Sequence, residues 1–203
     1  MISNFPHPTL FIINRHTMRR RKRHDLVIHK ELLPINEFTR PGRKLIEVRG
    51  VVIHWTGNPE MDARAHVRYF KELSEQKPDD DVADRYASAH YFIGTRGNVH
   101  QLIPDDEVAY HAGGKTYIQE ALDHFNCTWP NGFLVGLELC HNDWSGKFTD
   151  ETINVAQRLT RDILDKHDLD VKDVVRHFDV TGKLCPKFFV EDKDAWREFR
   201  KGI

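Results

Sequence analysis

Six residues, Leu134-Val135-Gly136-Leu137-Glu138-Leu139, hold a single charge in a run otherwise apolar or glycine. A run of that length and character is a strand from the middle of a sheet, bounded by turn residues. A second run, Val51-Val52-Ile53, has the same character and ends on His54, just before the loop Thr56-Gly57-Asn58-Pro59. Two helical patterns accompany these strands. Over residues 62–76, with Asp62 as the cap, Ala63, Val67, Phe70 and Leu73 recur at helical spacing. Over 150–167, Ile153, Ala156, Leu159, Ile163 and Leu164 do the same. Strands and helices alternate without repeats or low-complexity stretches. The predicted fold class is therefore α/β: one domain, with a central mixed β-sheet flanked by α-helices.

Shorter signals fill in the rest. Residues 88–95 and 98–103 read as two strands joined by Arg96-Gly97, a hairpin. A short helix is expected over 118–125, a short strand over 171–176 leading into His177, and a last helix over 193–200. Pro78 and the acidic run Asp79-Asp80-Asp81 close the first helix, and the run reads as a solvated loop. Residues 26–43 contain Pro34, Pro41 and Gly42, which favour an extended segment lying over the domain. The expected organisation is an N-terminal basic arm and extended segment, 1–43, followed by the main domain, 44–203.

Charge is split along the chain. Residues 1–49 carry 11 Lys/Arg against 4 Asp/Glu, including Arg19-Arg20-Arg21-Lys22-Arg23, whereas the remainder carries 19 against 27. Only the front segment suits a polyanion such as nucleic acid or an anionic wall polymer, and a solvated arm is an equal reading of it. The acidic remainder argues against a nucleic-acid-binding main domain. The longest apolar run falls far short of the ~20 residues that span a bilayer, so no membrane association is expected. Three cysteines, Cys127, Cys140 and Cys185, cannot all pair, which excludes a disulfide framework and favours reduced or metal-binding thiols. The N-terminus lacks the order of a secretory signal.

Reactive side chains sit where strands meet loops. His54 ends one apolar run, His177 follows another, and Cys185 lies beyond it across a loop containing Gly182. Two imidazoles and a thiolate give zinc three ligands and leave the fourth position for water or substrate, the arrangement of a catalytic site. Taken singly, each is an ordinary surface histidine or buried thiol. Glu138 is costly in a central strand unless paired or working. Beside zinc it is a general base; otherwise it forms an ion pair with a core-facing Lys or Arg. Lys183, two residues before Cys185, projects to the same side of an extended loop and can stabilise an oxyanion. Its Thr181-Gly182-Lys183 setting lacks the upstream glycine of a phosphate-binding loop. His111, followed by Ala112-Gly113-Gly114, is a candidate substrate contact. A rival metal site would use His90, His100 and His111.

Five motifs stand in order: Val52-Ile53-His54-Trp55-Thr56, Ser88-Ala89-His90-Tyr91-Phe92-Ile93, Ala109-Tyr110-His111-Ala112-Gly113, Val135-Gly136-Leu137-Glu138, and Arg176-His177-Phe178-Asp179 through Gly182-Lys183-Leu184-Cys185-Pro186. Over residues 44–200 the chain resembles the type-2 N-acetylmuramoyl-L-alanine amidases, the zinc amidase fold shared with peptidoglycan recognition proteins, and most of all Gram-positive phage and prophage endolysins. The resemblance implies one Zn2+ per chain on His54, His177 and Cys185, Glu138 as general base, Lys183 as transition-state stabiliser and His111 in the substrate groove. Some relatives carry a catalytic tyrosine where this chain has Ala89. Tyr91, two residues on, would share its face of a strand.

The implied reaction cleaves the amide between N-acetylmuramic acid and L-alanine in bacterial peptidoglycan. The protein would then be made in the cytoplasm and reach the wall by holin-type or other non-classical release. Ile203 falls just past the last expected helix, so the wall-binding module that many endolysins carry is not expected within this sequence. Three other readings stay open: a peptidoglycan-binding module without turnover, whose signature would be a lost ligand; a cytoplasmic amidase acting on recycled muropeptides; and a polymerase-binding role for the basic arm, as in some phage relatives.

Overall fold

The computed structural model describes residues 26–59, 61–77 and 84–203. The arginine cluster at 19–23 and the acidic run at 79–81 lie outside the described residues. Six strands form one mixed sheet: β1 (Ile28–Lys30), β2 (Gly50–Trp55), β3 (Tyr91–Ile93), β4 (Val99–Gln101), β5 (Leu134–Leu139) and β6 (Val174–Arg176). Their spatial order is β1-β4-β3-β5-β2-β6. Strands β3, β5, β2 and β6 run parallel, β4 pairs antiparallel with β3, and β1 pairs parallel with β4. Around the sheet lie α1 (Ala63–Ser74), α2 (Gln119–His124), α3 (Asp150–His167), α4 (His177–Thr181), α5 (Lys187–Glu191) and α6 (Lys193–Lys201). This is the α/β architecture that the alternation of runs predicts. No described helix is long and apolar enough to cross a membrane.

The period-2 alternation of strand side chains sorts the sheet into two faces. Val51, Ile53, Val135, Leu137 and Leu139 point one way, into a core closed by Ala156, Leu159, Ile163 and Leu164 of α3 and by Phe189, Trp196 and Phe199. The other face is shared. Phe92 packs with Ala63 and Val67 of α1, while Val52 and Leu134 pack with Ala112, Phe125 and Val180. His54, Gly136 and Glu138 belong to this second face, between the two apolar clusters. Burial of this surface, at ~25 cal/mol per Å², is the main term holding the layers together.

Caps set the helix starts. The Asp62 carboxylate accepts from the Ala65 N–H at 2.7 Å, and the Thr149 hydroxyl oxygen accepts from the Thr152 N–H at 3.1 Å. The same Thr149 hydroxyl donates to the Thr95 carbonyl at 2.7 Å, tying α3 to the end of the β3 region.

Several elements differ from expectation. The extended segment over 26–43 adds β1 to the sheet edge, and its Leu33, Phe38 and Thr39 are buried. Its Arg40 pairs with Glu107 through two N–H donors, at 2.7 and 3.0 Å. A three-residue strand with two exposed positions leaves no alternation to read. Residues 177–181, expected as loop, form α4, which ends at Gly182 in the left-handed region (φ +78°). The strand expected over 171–176 begins at Val174, after one 3-10 turn. Helix α5 was not anticipated at all, because five residues after a proline carry too little periodicity.

Candidate metal centre

Three parallel strands deliver three reactive groups in one row. His54 of β2 is in register with Glu138 of β5. Ile53 is in register with Arg176 of β6, so the next row sets His54 beside His177, the first residue of α4. All three sit at carboxyl ends of strands, where open α/β sheets place their ligands. Alternation along β2 and β5 puts His54 and Glu138 on the same face. Cys185 returns to this row because α4 and the turn at Gly182 fold the chain back. The Phe178 N–H donates to the Cys185 carbonyl at 2.8 Å and the Cys185 N–H to the Lys183 carbonyl at 2.7 Å.

The result is a cluster of His54, His177 and Cys185, all buried, with ligating atoms within 4.8 Å of one another. Among the described residues it is the only group of three or more such side chains with that geometry. Cys185 Sγ lies 3.7 Å from His54 Nδ1, close to the roughly 3.3–3.7 Å between neighbouring ligands that tetrahedral zinc distances imply. Two nitrogens and one sulfur suit zinc better than a hard oxygen-seeking cation. The donor set therefore fits zinc with one position open.

The ring nitrogens are divided in a consistent way. His111 Nε2 lies 2.9 Å from the Leu134 carbonyl oxygen, and His54 Nε2 lies 3.0 Å from His111 Nδ1. His177 Nε2 lies 3.2 Å from the Gly113 carbonyl oxygen. The Nε2 atoms of both candidate ligands thus face protein acceptors, and their Nδ1 atoms remain for a cation.

Burial sets the charge states. Desolvation, reinforced by the nearby His177 and His111, holds His54 well below the ordinary histidine pKa. Desolvation, with Lys183 adding repulsion, lowers His177 to about 4. Both are neutral at neutral pH, as metal ligation requires. Burial pushes the Cys185 thiol up to about 12, with the Glu138 charge adding to it. A cation at the cluster is what would draw off that proton. Desolvation raises the Glu138 carboxyl to about 8 against the opposing pull of Lys183. Its Oε2 is buried with no hydrogen-bond partner. Its Oε1 lies 4.0 Å from Nδ1 of the neutral His54, and among the described residues it forms no ion pair with a core-facing Lys or Arg.

A groove of about 850 Å³ opens over the cluster and is lined by all six residues singled out in the sequence, His54, His111, Glu138, His177, Lys183 and Cys185. Its remaining wall went unread. Tyr69, Tyr86 and Tyr110 line it, and the Arg85 guanidinium lies 5.5 Å above the Tyr69 ring. Tyr69 lies in α1, Arg85 and Tyr86 precede β3 and Tyr110 follows β4, so they carry no spacing signal and only the folded chain brings them together.

Two arrangements expected from the sequence are absent among the described residues. The rival grouping of His90, His100 and His111 does not form. His90 accepts from the Gly136 N–H and donates to the Glu107 carbonyl, whereas His100 bonds Glu31 and Asn98 near β1. Tyr91 packs in the core away from the groove, its hydroxyl bonded to Asp105. The strand proper starts at Tyr91, so it does not share a strand face with Ala89.

Fold and site together define an α/β domain with a metal-competent His/His/Cys cluster and a desolvated carboxylate at the ends of its parallel strands. The sequence profile of the N-acetylmuramoyl-L-alanine amidases (Amidase_2) matches residues 44–188, and the chain belongs to that family. A probable N-acetylmuramoyl-L-alanine amidase of Bacillus licheniformis is 37% identical over 172 residues, covering 83% of this chain and 45% of the relative. The N-acetylmuramoyl-L-alanine amidase CwlL of the same species is 33% identical over 174 residues, covering 86% and 46%. The chain spans about half the length of the curated relatives it matches. Among solved structures, the catalytic domain of XlyA superposes with a TM-score of 0.65 at 25% identity, covering 87% of this chain and 99% of that one. A mutant endolysin from Bacillus subtilis shares the fold, with a TM-score of 0.67, 24% identity and coverage of 88% and 99%.

Proposed function

We propose that this chain is a zinc-dependent amidase that cleaves the bond between N-acetylmuramic acid and L-alanine in bacterial peptidoglycan. The unit that carries the activity is residues 44–203. The observation that bears most weight is the buried cluster of His54, His177 and Cys185, with Glu138 Oε1 4.0 Å from His54 Nδ1. Family membership and the names of the relatives supply the substrate.

His54, His177 and Cys185 would hold the ion. Bound there, zinc supplies a Lewis acid for the scissile carbonyl and brings the pKa of a bound water from 15.7 towards ~7. Glu138 would accept a proton from the attacking water at its unpartnered carboxylate oxygen and pass it to the leaving amine of L-alanine as the amide C–N bond breaks. In the metal-free protein desolvation already holds this carboxyl up at about 8, so its acid form, which returns the proton, is accessible near neutral pH. Lys183, exposed at the groove rim, brings positive charge towards the developing oxyanion. His111 lies in the floor of the groove, and the tyrosine wall offers apolar surface to the stem peptide. A module that only gripped the wall would gain nothing from a desolvated, unpartnered carboxylate beside the cluster.

Purified protein incubated with isolated cell walls should create new L-alanine N-termini, lose that activity to a chelator and regain it with zinc. Glu138→Gln should keep zinc and lose turnover by about 10²-fold or more. Release of other termini by zinc-loaded protein would overturn the assignment of the bond, and wall hydrolysis at the native rate by the variant would displace Glu138 as the base.

A further inference from the structure

We propose that the tripeptide His111-Ala112-Gly113, pinned by Asn131, is the positioning element that fixes the tautomers of both candidate ligand histidines, so that each presents Nδ1 to the ion. This deepens the metal-centre reading and rests on it.

The donors and acceptors around the two rings allow only one tautomer each. A backbone carbonyl only accepts, so His111 Nε2, 2.9 Å from the Leu134 oxygen, must bear the proton. The other nitrogen of a neutral His111, Nδ1, is then an acceptor. It lies 3.0 Å from His54 Nε2, which must therefore be the N–H, leaving the His54 lone pair on Nδ1. The Cys185 sulfur sits on that side, at 3.7 Å. Two residues along, the Gly113 carbonyl lies 3.2 Å from His177 Nε2 and imposes the same tautomer there. One short loop thus settles both rings.

The loop is itself held. The Asn131 side-chain oxygen accepts from the His111 N–H at 3.2 Å and the Ala112 N–H at 2.8 Å, and Asn131 is 5% exposed. The His111 ring lies against β5 only because position 136 is glycine. A Cβ there would come within 2.5 Å of His111 Cγ. With both ring nitrogens engaged by protein, His111 acts through His54. Groups that bond the far nitrogen of a metal-bound histidine fix its orientation, and their loss typically costs 10–100-fold in metal affinity.

The test reads the metal-free protein first. Nitrogen-15 NMR of the imidazoles should find Nε2 protonated and Nδ1 unprotonated in both His54 and His177; the opposite tautomer in His54 overturns the proposal. His111→Phe keeps a ring of similar size but has no acceptor. It should mix the His54 tautomers and weaken zinc binding, measured by competition with a chromogenic chelator, by about 10–100-fold. His111→Gln, which has both an acceptor and a donor, should stay near the native affinity. Native tautomers and native affinity in His111→Phe also overturn the proposal. If His111→Phe fails to fold, the native-protein spectrum still overturns the proposal when it shows the opposite tautomer at His54. Native protein that shows these tautomers but binds no zinc would instead break the hydrolase reading, so the two failures are distinguishable.

Discussion

At Glu138 the fold opposes ionisation. Its carboxyl rises from 4.5 to about 8 in the metal-free protein, so the folded chain keeps a proton that the unfolded chain has already lost. Between those values the native state binds more protons, and stability falls as pH rises. In metal-free protein, Glu138→Gln should therefore be more stable than the native chain by on the order of 2–4 kcal/mol at pH 8. The difference should shrink towards zero below pH 4.5 in urea titrations; a gap independent of pH would contradict this origin. The histidines act with the opposite sign. His177, lowered from 6.5 to about 4, stays neutral while the unfolded chain takes up protons, so stability is lost as pH falls from 6.5 towards 4. At this scale the sequence already told most of the story, since an acid in an apolar strand and histidines at strand ends stand out by contrast. What it could not show is that His111 has both nitrogens occupied, because its partners come from residues 54 and 134.

Elements set the row that the site depends on. β2, β5 and β6 were readable because each is a short apolar run ending at a reactive residue, and α3 was readable to its observed bounds because 18 residues hold one apolar stripe. β1, α4 and α5 were not, since three to five residues carry no measurable period and owe their form to what they pack against. Two substitutions probe these elements. Thr149→Ala removes the α3 cap and the bond to the Thr95 carbonyl, and should cost about 1–2 kcal/mol by thermal or denaturant unfolding. Gly136→Ala drives a methyl into His111 and should cost about 1–3 kcal/mol as overpacking while also weakening zinc binding. Native zinc affinity in a folded Gly136→Ala protein would mean that His111 does not need its place against β5.

Across the whole molecule, the segment before residue 44 reaches the site through a continuous chain of contacts. Arg40 pairs with Glu107, whose carbonyl accepts from His90; His90 accepts from the Gly136 N–H, and Gly136 makes room for His111. The Arg40 and Glu107 side chains are 14% and 10% exposed, so breaking the pair leaves a nearly buried carboxylate with only the longer contact to Lys44, at 3.7 Å. Arg40→Ala should cost about 3 kcal/mol, whereas exposed pairs such as Arg197 with Asp194 should contribute under ~1 kcal/mol. The sequence marked this stretch as extended but gave no sign of its pairing, because Arg40 and Glu107 are 67 residues apart. The coordination of the ion is the central property of the molecule. X-ray absorption of zinc-loaded protein should find one sulfur at about 2.3 Å, two imidazole nitrogens at about 2.0–2.1 Å and one non-protein oxygen. A coordination shell without sulfur, or one closed by a fourth protein ligand, would contradict it.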